Sequence, residues 1–189
     1  MAANNLLKKN GEDGFIKNHT KIVLIGFMGS GKTVAGRVLA RLLEWDFADT
    51  DEEIEKVTGH TTLKLFKKYG ALRFRSEEEL ILKKLINREK LVIATGGSLN
   101  LDNHNLNLLK NNSYFVLLQA DLTILQQRLM RKNTRPLLGS RPEISKIEEL
   151  LAARQAQYLQ LADCIINTSN LTVEDVAGKI LKEFNPDGC

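Results

Sequence analysis

At 189 residues and 43% hydrophobic, the chain is long enough to bury the core of one domain, and nothing in it asks for a second. Its net charge of +4 and pI near 9.0 arise from acids and bases mixed along the chain, with no basic block longer than a pair, so a nucleic-acid surface is not indicated. Cys164 and Cys189 offer neither a disulfide framework nor metal-ligand spacing, and no apolar run reaches the length of a membrane span; a reducing cytoplasmic setting is expected.

Residues 1–20 carry no apolar signal core, and with Glu12 and Asp13 they read as a loosely packed tail. Lys21-Ile22-Val23-Leu24-Ile25 then predicts a buried strand, and Val34 to Leu43 a helix. Between them stands Gly26-Phe27-Met28-Gly29-Ser30-Gly31-Lys32-Thr33, which fits the phosphate-cradling pattern G-x-x-x-x-G-K-[ST] in the strand-to-helix setting that the pattern requires. Glycines there let successive N–H groups and the helix N-terminus face a polyanion. Lys32 brings a point charge to the outer phosphates, and the Thr33 hydroxyl is left to ligate Mg²⁺. A nucleoside triphosphate is the expected ligand.

Glu44 to Asp49 predicts a short second strand ending in acid. If the backbone stays extended, Asp49 and Asp51 point the same way beyond the strand ends, where parallel α/β sheets bind ligands. The competing reading is that Asp49 and Asp51, with Glu52 and Glu53, furnish the first turn of a helix over Asp51–Val57. A break at Gly59 leads to a short amphipathic stretch with Leu63, Leu65, Phe66 and Tyr69, then a helix from about Ala71 to Ile86. Arg75 lies near the start of that helix, where a cation is mildly unfavourable; an ion pair with Glu78 or Glu79 is its plain structural role. Leu91-Val92-Ile93-Ala94 is a third strand, followed by Thr95-Gly96-Gly97-Ser98, a turn that admits close backbone approach to a ligand.

Residues 102–111 read as a weakly amphipathic helix and Tyr114 to Leu118 as a fourth strand. Asp121 caps a helix with Leu122, Leu125 and Leu129 inward and Arg128 on another face. The stretch from Lys132 to Pro142 breaks all periodicity and carries several cations, which suits a mobile lid over phosphates, set at about 131–146. A helix from about Ile144 to Leu161 bears Arg154. Asp163 to Thr168 supplies a fifth strand, and Thr172 caps a last helix. Alternating βα units imply a parallel five-stranded sheet covered on both faces: a three-layer α/β/α domain over residues 21–185, with 186–189 as a tail.

The pieces Gly26 to Thr33, Asp49-Thr50-Asp51, Phe74-Arg75-Ser76-Glu77-Glu78, Ala94-Thr95-Gly96-Gly97, Arg135-Pro136-Leu137-Leu138, and Arg154 with Tyr158 and Ala162-Asp163 together resemble the shikimate kinase family in order and approximate spacing, over about residues 21–170. The resemblance implies a P-loop kinase fold with a mobile lid, and transfer of the γ-phosphoryl of ATP to the 3-hydroxyl of shikimate. It implies that Gly29, Ser30, Gly31, Lys32, Thr33 and Val34 hold ATP together with Arg128, near the adenine, and Arg135 from the lid. Thr33 and Asp49 would hold Mg²⁺. Asp51, Arg75, Gly96, Gly97 and Arg154 would bind shikimate within an acceptor segment at about 51–86 and the loop after the third strand. Lys32, Asp51 and Arg135 would carry the chemistry, with cations around Asp51 making positioning matter more than proton abstraction. Guanidinium forks suit the substrate carboxylate and an ionised acid suits paired hydroxyls. Ser98 departs from the family's usual third glycine, so a kinase of another polyhydroxy acid such as gluconate, or a non-catalytic ATP-binding module, remains open. The expected partners are ATP and shikimate, with no nucleic acid and no membrane, and a monomer is expected.

Overall fold

Four consecutive aliphatic residues, Ile22 to Ile25, have no polar alternation to turn toward water, and they form the middle of the sheet: each is 0% exposed. In the computed structural model, which describes residues 19–96, 109–110, 112–130 and 143–185, this strand is β1, Lys21–Ile25. The other elements follow as α1 Lys32–Leu43, β2 Asp46–Asp49, α2 Thr50–Thr58, α3 Thr62–Ile86, β3 Leu91–Ala94, β4 Ser113–Gln119, α4 Leu122–Met130, α5 Ile144–Leu161, β5 Cys164–Asn167 and α6 Val173–Phe184. All pairings are parallel and the strand order is β2-β3-β1-β4-β5, so β1 lies between β3 and β4. Every strand therefore ends on the same edge as the loop that leaves β1.

Side chains alternate across the sheet and define its two faces. Val23, Ile25, Ile93, Phe115 and Leu117 pack against Ile54 of α2, Phe74, Ile81, Leu82 and Leu85 of α3, and Tyr158 and Leu161 of α5. On the opposite face Ile22, Leu24, Val92, Val116 and Leu118 pack against Ala35 and Leu39 of α1 and Val176, Ala177 and Ile180 of α6. α1 comes especially near, because a Cβ at Gly36 would lie 2.6 Å from the Phe47 ring. A smaller cluster joins Phe27 and Met28 to Leu125, Leu129 and Ile147 and fixes the loop after β1 against α4 and α5. The architecture is the expected three-layer α/β/α fold on a five-stranded parallel sheet. Among the described residues no helix is long and apolar enough to cross a membrane.

Several boundaries differ from the sequence reading, for local reasons. β2 starts at Asp46 rather than Glu44, because Glu44 closes α1 in a left-handed conformation (φ 55°) and the Trp45 N–H donates back to the Ala40 carbonyl at 2.9 Å. The amphipathic stretch and the long helix are one run, α3, broken at Gly70 (φ 80°, ψ 176°), one residue before the expected start at Ala71. β5 is shorter by one residue at each end. The helix expected over 102–111 lies outside the described residues except for Leu109 and Lys110, which are helical, Leu109 being buried. The lid expected at 131–146 also lies outside them up to residue 142, and Ile144 to Lys146 already belong to α5.

Candidate active site

The loop leaving β1 is shaped by a glycine that no other residue could replace. Gly26 has φ 136°, and a Cβ there would collide with the Leu118 carbonyl oxygen of β4. The turn ends at Gly31, which starts α1 without any side-chain cap, so the first N–H groups of the helix face the loop's concavity. Lys32 is buried there and folds back, its Nζ donating to the carbonyls of Gly26 at 2.7 Å and Phe27 at 3.0 Å. Ser30 is fully buried, and its Oγ has no hydrogen-bond partner among the described residues. Val34, next along α1, is half-exposed. The concavity thus presents backbone donors and an ammonium, the groups that receive phosphate oxygens.

Asp49 ends β2 and works on both sides of that end. Its Oδ2 accepts the Thr33 hydroxyl at 2.7 Å, and its Oδ1 accepts from the backbone N–H groups of Asp51 and Glu52, which makes it the N-cap of α2. The extended alternation expected for Asp49 and Asp51 therefore does not occur. The chain turns helical at Thr50, and the helix-start reading of these acids is the correct one. Asp51 reaches the strand ends by another route. Its carboxylate lies against Gly96, just past β3, closely enough that a Cβ on Gly96 would overlap Oδ1 and stand 3.1 Å from Cγ. Between the two acids, the Thr50 hydroxyl accepts the Gly96 N–H at 2.7 Å.

Arg75, on α3, pairs with Glu78 at 2.5 Å, the helical spacing that the sequence offered. Glu78 is 1% exposed, and its Oε1 makes no hydrogen bond among the described residues. Burial pushes its carboxyl up to about 7 against the pull of the Arg75 guanidinium; Asp51 pushes in the same direction as burial, and Arg154 pulls with Arg75. Arg75, Arg154 and Asp51, from three helices, therefore all bear on one buried carboxyl. Arg154 also hydrogen-bonds the Tyr158 hydroxyl one turn along α5. Arg75 touches that carboxyl, and Arg154 and Asp51 lie within electrostatic range of it, a set of charges suited to a small polyhydroxylated anion.

On the far side of the loop, Arg128 of α4 donates to the Gly29 carbonyl at 3.3 Å and to Thr168 Oγ1 and O at 3.0 and 2.8 Å. Thr168 Oγ1 also lies 3.0 Å from the Ser30 carbonyl and 3.1 Å from that of Gln119. Arg128 and Thr168 together fasten the phosphate loop to the ends of β4 and β5. Gly97 and Arg135, both expected at the site, lie outside the described residues.

A profile of the family described as shikimate kinase matches residues 28–185, which takes in the phosphate loop from its third residue and every element after it. The chain belongs to the shikimate kinase family. Among its relatives, the shikimate kinase of Pelotomaculum thermopropionicum is 44% identical over 167 residues, 87% of this chain and 96% of that one. That of Thermodesulfovibrio yellowstonii is 43% identical over 163 residues, 86% and 94% of the two chains. The solved structure of shikimate kinase from Acinetobacter baumannii in complex with shikimate superposes with a TM-score of 0.83 at 37% identity, covering 89% of this chain and 94% of that one.

Sequence reasoning about this shikimate kinase missed three residues that the geometry brings forward. Glu78 entered only as a partner for Arg75; its burial, which follows from its position on the core face of α3, makes it the common neighbour of Arg75, Arg154 and Asp51. Thr50 and Thr168 were given no role of their own because their partners, Gly96 and Ser30, are 46 and 138 residues away. No local pattern signals either contact.

Proposed function

We propose that this chain transfers the γ-phosphoryl of ATP to the 3-hydroxyl of shikimate, releasing shikimate 3-phosphate and ADP. Membership of the family supports the reaction class. The observation that carries the acceptor is the Arg75–Glu78 pair, with Arg154 and Asp51 within electrostatic range of the same buried carboxyl. In this reading the two guanidinium groups hold the substrate carboxylate, Asp51 accepts hydrogen bonds from ring hydroxyls and orients the one that attacks, and the backbone at Gly96 and Gly97 walls the acceptor pocket.

ATP sits with its phosphates in the loop of Gly29 to Thr33, against the start of α1. Lys32 exchanges its two carbonyl acceptors for phosphate oxygens, Arg135 adds charge from the lid, and Arg128 borders the base. The oxygen pair formed by Thr33 Oγ1 and Asp49 Oδ2 suits Mg²⁺, a hard cation that takes few protein ligands and completes its shell with phosphate and water. Held there by Thr33 and Asp49, Mg²⁺ would offset the negative charge of the phosphates.

Because the transition state of phosphoryl transfer is loose, the residues act mainly by alignment and charge stabilisation, and Asp51 aims the hydroxyl more than it removes its proton. Closure of a lid over residues 131–142 would exclude water and limit ATP hydrolysis. We further propose a cytoplasmic monomer. The test is ADP formation from Mg·ATP with shikimate, with gluconate, and with no acceptor, alongside Asp51→Asn. Shikimate-dependent ADP that disappears in the variant is expected; equal rates in all three tubes would remove the assignment.

A further inference from the structure

We infer that Thr50 is a positioning residue that sets where the Asp51 carboxylate stands relative to the phosphate loop, by holding the Gly96 peptide through its hydroxyl. The inference rests on the proposed acceptor site. Its basis is the way two adjacent residues at the end of β3 are tied in opposite directions. Thr95 bonds to the strand that feeds the phosphate loop, its N–H and its hydroxyl both donating to the Leu24 carbonyl at 3.1 and 3.0 Å. Gly96 bonds to the acceptor side, its N–H donating to Thr50 Oγ1 at 2.7 Å.

Thr50 is 1% exposed and opens α2, so its hydroxyl is presented by a helix end that Asp49 caps and, through Thr33, fastens to α1. Asp51, the next residue, rests its carboxylate on the bare Cα of Gly96. The Gly96 peptide is thus gripped at its N–H by Thr50 and covered at its Cα by Asp51. Gly96 does not take the left-handed torsion that would explain its identity; the nearness of Asp51 does. A slack Gly96 peptide would let Asp51 drift from the attacking hydroxyl. The phosphate side would keep its own tie through Thr95.

The decisive comparison is Thr50→Val, which keeps the shape and removes the acceptor, against Thr50→Ser, which keeps the acceptor and removes a methyl group. For each, and for the unaltered protein, KM for shikimate, KM for ATP, kcat and melting temperature are measured. Exchange of the Gly96 amide proton is followed by NMR. Thr50→Val is expected to raise KM for shikimate and lower kcat, together by about tenfold or more in kcat/KM, with KM for ATP within about twofold and faster Gly96 exchange. Thr50→Ser is expected to stay near the unaltered protein in all of these. Unchanged shikimate kinetics in Thr50→Val would overturn the inference. So would equal losses in both variants, or a joint rise of both KM values with a lowered melting temperature. Failure of the acceptor assignment itself is read separately, as absence of shikimate-dependent ADP formation by the unaltered protein.

Discussion

Replacing Glu78 with glutamine should remove one step from the pH profile of stability, and the size of the step follows from the burial of that carboxyl. The folded protein holds the Glu78 proton up to about pH 7, whereas a free glutamate releases it near 4.5. Between those values the folded state binds more protons than the unfolded state, so stability contributed by the protonated group is full below pH 4.5 and is lost as the pH rises through 7. A separation of that size corresponds to about 3 kcal/mol. Glutamine has the shape of the neutral acid and does not titrate. Urea unfolding of the apoprotein at pH 4.5, 6 and 8, for both forms, should therefore show the unaltered protein losing about 3 kcal/mol relative to Glu78→Gln across the range. Taking the difference cancels every other titrating group. A flat difference, or a gain of stability by the unaltered protein toward pH 8, would mean that Arg75 and Arg154 outweigh burial and would refute the reasoning.

Gly96→Ala should displace the Asp51 carboxylate and cut shikimate-dependent turnover by about 10²-fold while the protein remains folded, as checked by steady-state rates beside a thermal melt. Lys32→Met removes the one ammonium in the phosphate loop; kcat should fall by about 10²-fold or more, and normal turnover would contradict the assigned role of Lys32. Thr168→Val deprives Arg128 of an acceptor and two carbonyls of a hydroxyl, so KM for ATP should rise about fivefold with KM for shikimate unchanged; the reverse pattern would place Thr168 on the wrong side of the site.

What could be read from the sequence depended on the range of the interaction that fixed it. The buried run of β1, the glycine-lysine loop and the helical spacing of Arg75 and Glu78 are local and appeared in the structure as expected. The placement of Asp51 shows the limit. Its position near the strand ends was anticipated from strand alternation, yet Asp49 caps a helix there, and what actually locates Asp51 is its contact with Gly96, 45 residues on. Competition between extending a strand and capping a helix is decided by the orphan N–H groups of α2, which alternation ignores. Likewise the start of β2 was overrun because a left-handed glutamate can close a helix that a glycine more often closes.

Lys32 already holds two carbonyl oxygens before any nucleotide arrives. Entry of a triphosphate is therefore a partner exchange for the ammonium, in which old acceptors are traded for charged ones. A nucleoside without phosphates can offer no such replacement: it would have to leave Lys32 where it is and forgo the loop altogether. The folded-back lysine thus acts as a built-in competitor that a triphosphate has to displace and adenosine does not, so it should narrow the affinity gap between ATP and adenosine relative to a lysine with no internal acceptors.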